Sequence, residues 1–302
     1  MNWLKANLLI ITFLLVLEVV SQIPRDTSYT VQSTVKKVAK YYPDLKVEGV
    51  LPAHPYAVET RSFIEYKNLG YRTLTANMFL PKGEGRKPAV LLIHGGGWRA
   101  GAPDLMTPLA EQVAAAGYVV LVPEYRLSLE AKYPAGKDDL IDAIEWLKNQ
   151  SSIFQIDTTK IAVMGCSAGG QLAALIGTTY PVQAIVDVDG VLAFKHPDSQ
   201  EGTVAAQWLG GTYEKVPLIW EDASALTHVS AETPPTLFLA SKYPRFLAGR
   251  QEYMKVLQDA GTYAEVQFLE DAPHSFWLLT PWFEQTLNYI LEFLNKTLIT
   301  SN

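Results

Sequence analysis

Cysteine is almost absent from this chain: Cys166 is the one thiol in 302 residues. That excludes an intrachain disulfide framework and any cysteine-rich zinc site. Positive charge is also in short supply, with 25 Lys and Arg against 31 Asp and Glu and a net charge of -6. A protein built mainly to grip nucleic acid carries a basic face, so no nucleic-acid partner is expected. Long apolar runs are missing after the first twenty or so residues, although 48% of the chain is apolar and 19% charged. Those fractions exclude disorder and a multi-span membrane architecture. No Gly-x-Gly-x-x-Gly phosphate-binding pattern, metal-ligand cluster or cofactor motif occurs, so neither metal nor cofactor is expected. What remains is a soluble globular enzyme or binding protein.

Residues 1–21 read as a secretory leader. Lys5 supplies the positive start, residues 8–17 are almost wholly apolar, and Val19-Val20-Ser21 precedes an expected mature start at Gln22. An apolar stretch of roughly a dozen residues falls short of the ~20 that a spanning helix needs. The protein is therefore expected to be secreted or periplasmic, with no membrane span once the leader is removed. Two sequons, Asn149-Gln150-Ser151 and Asn295-Lys296-Thr297, matter only in a host that glycosylates.

From about residue 58 to the C-terminus, apolar runs alternate with amphipathic stretches; the lead over 22–58 is poorly patterned. Residues 62–67 and 71–80 predict a hairpin turned at Asn68-Leu69-Gly70. Short apolar runs at 89–93, 118–122, 161–164 and 184–188 read as buried parallel strands, with two more at 236–240 and 264–269. Helical patterns fill 105–115, 138–147, 168–176, 248–260 and 282–294. Such alternation implies right-handed crossovers and a mostly parallel central sheet with helices on both faces. The expectation is one α/β domain over 22–302. An irregular insertion at about 192–234, rich in Trp, Gly and Thr, reads as a small cap.

The strand at 161–164 runs into Gly165-Cys166-Ser167-Ala168-Gly169-Gly170 and then an apolar helix. A Gly-x-Ser-x-Gly string is weak alone. Between strand and helix it describes a sharp elbow that lifts the serine hydroxyl clear of the sheet, above a helix N-terminus. Ser167 is thus the candidate nucleophile. Cys166, one residue before the tip, should point into the sheet as an inert thiol. The strand at 89–93 ends in His94-Gly95-Gly96-Gly97-Trp98. Glycines let backbone N–H groups approach a developing oxyanion, so Gly96, Gly97 and Ala168 are the expected donors. His94 reads as a residue that fixes the loop.

Together these strings resemble the α/β-hydrolase esterase/lipase superfamily, in the group near secreted acetyl-xylan and feruloyl esterases of the BD-FAE type. Glu124-Tyr125-Arg126-Leu127 and Ala223-Ser224-Ala225-Leu226-Thr227-His228-Val229 carry the resemblance further, over roughly residues 63–294. It implies an α/β-hydrolase fold and ester chemistry. The base is then expected after the last strand, where Glu270-Asp271-Ala272-Pro273-His274 stands, and His274 fits that slot. The resemblance also implies an aspartate just past the strand at 236–240, but the chain reads Ser241-Lys242-Tyr243-Pro244-Arg245-Phe246. Either the acid has moved, or the site is a Ser–His pair, or catalysis is lost. Asp189, just past the strand at 184–188, is the leading candidate, in a position resembling that of pancreatic-type lipases. Asp271, Glu201 and Glu252 are the alternatives.

Aromatic residues gather near these strings. Trp98, Trp208, Trp220, Phe276, Trp277 and Trp282 could equally stack on a sugar or pack the cap; of the set, Trp98 and Trp277, with the vacated-slot Arg245, are the expected substrate contacts. The resemblance implies a carbohydrate ester as substrate, carrying acetyl or feruloyl groups. A peptidase or amidase on the same fold, and a silent binding module, are the competing readings.

Overall fold

The computed structural model describes residues 24–299, so the leader expected at 1–21 lies outside the described residues. The hairpin forms as β1, Val58–Asn68, and β2, Thr73–Pro81, paired antiparallel. Its turn is held by Asn68 Oδ1, which accepts the Gly70 N–H at 2.7 Å. Six more strands follow: β3 Lys87–Ile93, β4 Val119–Pro123, β5 Ile156–Cys166, β6 Ala184–Val188, β7 Thr236–Ala240 and β8 Ala264–Phe268. They join in one eight-stranded sheet, ordered β1-β2-β4-β3-β5-β6-β7-β8. β2 runs antiparallel to β1 and β4, and the other neighbours are parallel. Because β4 lies on one side of β3 and β5 on the other, the winding reverses at β3. Such a switch point opens a crevice at the carboxyl ends of the strands.

Period-two alternation divides the central strands between two cores. Leu91, Ile93 and Ile185 face one, with helices α3 (Ala135–Asn149) and α5 (Ala168–Thr179) packed on it. Val90, Leu92 and Val186 face the other, under α2 (Thr107–Ala115) and α10 (Phe283–Leu294). Each fully buried Leu contributes roughly 1.5–3 kcal/mol of transfer free energy. Between these lie the short α4 (Ser151–Phe154) and, after β7, α9 (Arg250–Asp259).

Two expectations change. The helix expected at 105–115 is split, because Pro103 and Pro108 favour a tight 3-10 turn, Pro103–Met106, before α2 begins. The supposedly unpatterned lead holds a helix, α1, Val31–Ala39. Thr30 and Ser33 close a reciprocal capping box at its start, and Val31, Val35 and Val38 repeat along one side. The insertion carries α6 Gly202–Leu209, α7 Pro217–Asp222 and α8 Ala225–His228. Among the described residues no helix is long and apolar enough to cross a membrane.

Candidate active site

Ser167 sits between β5 and α5 with φ 57° and ψ -121°, a backbone geometry that costs energy for a residue with a Cβ. Close packing holds it there. A Cβ on Gly165 would lie 2.0 Å from the Gly169 carbonyl oxygen, and one on Gly169 would lie 2.2 Å from that of Ile93. The elbow is therefore wedged against the end of β3, and only glycine fits either side. Cys166 is buried and burial pushes its thiol well above the ordinary range, which leaves it unreactive.

Ser167 Oγ lies 2.8 Å from His274 Nε2, and His274 Nδ1 lies 2.7 Å from Asp189 Oδ2. These contacts join residues 107 and 85 positions apart in the chain. The carboxylate is itself fixed. Asp189 Oδ1 accepts the Ser241 N–H at 2.9 Å, and the Asp189 N–H donates to the Leu239 carbonyl at 2.8 Å. Thus the strand end that the resemblance assigned to the acid supplies instead a backbone donor that orients it. The other carboxylates lie elsewhere. Glu201 pairs with Arg245 and Glu252 with His196. The backbone carbonyl of Asp271 accepts from Tyr42, and among the described residues the hydrogen bonds of the His274 ring go to Ser167 and Asp189. Asp187 lies on the α5 side of the sheet, its Oδ1 against Gly170 and Gly190. Burial raises its carboxyl well above the usual range, and its Oδ1 accepts the Gly190 N–H at 2.8 Å.

The glycine loop lies directly over the elbow. A Cβ on Gly95 would come within 3.0 Å of Ser167 Cβ, and Gly96 and Gly97 take φ of 127° and 60°. The Gly96 carbonyl accepts from the Ala100 N–H at 2.9 Å, which curls the loop back on itself. Ala168 opens α5, so its N–H has no intrahelical acceptor. Beneath the loop His94 is buried, stacked on Tyr125 with centroids 4.5 Å apart, and its Nδ1 meets the Gly95 carbonyl at 2.8 Å.

Burial lowers the His94 imidazole from 6.5 to about 4. The folded chain keeps it neutral while the unfolded chain takes up a proton below 6.5. Its stabilisation is therefore complete above that pH and falls away as pH drops toward 4, by about 3 kcal/mol in all. Urea unfolding should show the protein losing stability relative to His94→Gln over this window. A gap that stays constant across it would refute the neutral buried imidazole.

The expected substrate contacts are corrected. Trp98 is buried, stacked on Trp208 at 5.0 Å, and its Nε1 donates to Gln171 Oε1 at 2.9 Å. It ties the glycine loop to α5 and the cap. Trp277 is buried as well and meets His274 edge-on from the core. Neither ring offers a face to a ligand. Arg245 remains a third exposed, but its guanidinium is committed to Glu201.

Sequence reasoning missed α1 and Tyr29. Tyr29 reaches the His274 loop, its hydroxyl 3.2 Å from Ser275 Oγ. With Lys37, Tyr41, Tyr243 and His274 it bounds a cleft of about 150 Å³. The capping box at Thr30 was the available signal for the helix; nothing local marks its docking site.

A mostly parallel sheet with a serine elbow after β5, histidine after β8 and a glycine loop after β3 is the α/β-hydrolase fold. Within it, residues 76–245 match the BD-FAE family, and the chain belongs to that family. It is 36% identical over 118 residues to the carboxylesterase NlhH of Mycobacterium tuberculosis, 37% of either chain. With an ethyl acetate hydrolase of Pseudomonas putida it shares 25% identity over 208 residues, 62% of this chain and 65% of that one. The chain thus spans about a third to two thirds of these relatives' lengths. An esterase of Thermogutta terrifontis superposes with a TM-score of 0.68 at 22% identity, covering 82% of this chain and 97% of that one. A truncated carbohydrate esterase from gut microbiota gives 0.67 at 20% identity, covering 82% and 100%.

Proposed function

We propose that this protein is a serine carboxylic-ester hydrolase that removes acetyl or feruloyl groups from plant polysaccharide through an acyl-enzyme intermediate. The observation that carries it is the unbroken relay, Ser167 Oγ to His274 Nε2 at 2.8 Å and His274 Nδ1 to Asp189 at 2.7 Å. His274 takes the Ser167 proton as Oγ attacks the ester carbonyl. Negative charge gathers on the carbonyl oxygen, where the N–H groups of Ala168, Gly96 and Gly97 receive it. His274 then returns the proton to the departing alcohol, and water repeats the sequence on the acyl-enzyme. Asp189, fixed by the Ser241 N–H, keeps the proton of neutral His274 on Nδ1 and stabilises the imidazolium.

Ester chemistry is supported by the carboxylesterase and ethyl acetate hydrolase among the relatives. The carbohydrate part is supported by the gut carbohydrate esterase of like fold and by the cleft beside His274. Aromatic faces and hydroxyls from Tyr29, Ser33, Tyr41 and Tyr243 suit a sugar ring better than an acyl tail. The leader expected at 1–21 supports action outside the cytoplasm, where such polymers lie.

Intact-mass labelling with an organophosphate, alongside assays on 4-nitrophenyl acetate and on acetylated and feruloylated xylan, tests this. One label per chain at Ser167 is expected, none in Ser167→Ala, together with release of acetate or ferulate from polymer. No label and no turnover of the aryl ester would sink the hydrolase reading. Turnover of simple esters without release from any polysaccharide would remove the carbohydrate part alone.

A further inference from the structure

Hydrogen bonds at two ring nitrogens fix only two points of an imidazole. Asp189 holds Nδ1 and Ser167 meets Nε2, and those points define an axis about which the ring can still roll. Rolling carries the Nε2 lone pair out of line with Oγ. A constraint on the ring face is needed to stop it.

Phe246 supplies one. Its ring lies flat on His274, with centroids 3.8 Å apart and planes 10° apart. Trp277 meets the imidazole at 5.2 Å and 87°, so the ring is bounded from a second direction. His274 occupies one face of Phe246. Over its ring too, at 4.1 Å from the centroid, stands the guanidinium carbon of Arg245, which must therefore use the opposite face. Arg245 Nη1 in turn donates to Glu201 Oε1 at 2.6 Å. Glu201 is the residue from which the cap helix α6 springs. The stack thus runs from the cap through Glu201, Arg245 and Phe246 to the base.

We propose that Phe246 is a positioning residue for His274, clamped from the cap by the Arg245–Glu201 pair. The loop after β7, which lacks the carboxylate expected from resemblance, still serves the histidine by holding its plane instead of its charge. The same π face attracts an imidazolium once it forms. Glu201 offsets the Arg245 charge that would otherwise oppose it. The kinetic part of this inference rests on the ester-hydrolase reading; the positioning part does not.

The test uses Phe246→Leu, Phe246→Tyr and Glu201→Gln, with two readouts. One is kcat and KM on 4-nitrophenyl acetate. The other is the low-field 1H resonance of the proton between His274 and Asp189, assigned by its loss in Asp189→Asn. Phe246→Leu is expected to lower kcat about tenfold to a hundredfold with KM nearly unchanged, as for a reacting group held slightly out of line. Its low-field resonance should broaden or vanish. Phe246→Tyr, which keeps the ring, should restore both. Glu201→Gln leaves the core intact and should give a smaller kcat loss of the same kind.

Unchanged kcat and resonance in Phe246→Leu would overturn the proposal. So would equal losses in the Leu and Tyr variants with lowered thermal midpoints, since that marks packing alone. Should Phe246→Leu fail to fold, Glu201→Gln decides, and wild-type kcat and resonance there would count against it. If the wild type hydrolyses no ester, the functional reading fails while the resonance still decides the positioning role.

Discussion

Asp189→Asn is expected to lower kcat by about 10⁴, with the fold and thermal midpoint nearly unchanged. The substitution keeps the shape and leaves one oxygen to accept the Ser241 N–H, which donates to Oδ1 at 2.9 Å. The amide NH₂ then faces His274 Nδ1, where Oδ2 now stands at 2.7 Å. A donor in that place makes Nδ1 an acceptor and drives the imidazole proton to Nε2. There it blocks the acceptance of the Ser167 proton, and no carboxylate remains to stabilise the imidazolium. Steady-state assays on 4-nitrophenyl acetate read the loss. Activity within tenfold of wild type would mean that another group orients His274.

Gly96→Ala should cost about 10²–10³ in kcat, the usual penalty for a lost oxyanion donor. Two features make this position intolerant: φ is 127°, and an added Cβ would fall 2.1 Å from the Ala100 carbonyl oxygen. That carbonyl is backbone, so the loop must move, and the N–H groups proposed as oxyanion donors move with it. Strain of this kind removes about 1–3 kcal/mol of stability as well. Gly97→Ala serves as the comparison. Its φ of 60° lies in the left-handed region that alanine can enter, and its Cβ would meet Val204 at 3.3 Å, a side chain that can yield. Equal losses in both variants would show that the curl at Gly96 is not what aims the donors.

Much of the fold is legible because its signals are local. Five-residue apolar strands at Ala184–Val188 and Thr236–Ala240 stand out against their polar surroundings. The strings around Gly95 and Gly165 are readable because backbone approach demands glycine whatever the wider fold. Side-chain direction was not legible. Trp98 and Trp277 look like sugar platforms by composition, yet both face inward, since their hydrogen-bond and stacking partners come from distant elements. Helix α1 was overlooked because its flanks are irregular and its docking partners lie at the other end of the chain.

The amino-acid sequence alone determined the elbow, the glycine loop and the strand-helix alternation, because each depends on residues within one turn of each other. Which carboxylate faces His274 was decided only by the tertiary structure. Neighbouring strand ends β6 and β7 bring Asp189 and the Ser241 N–H together across 52 residues, and no local pattern encodes which loops a sheet will set side by side.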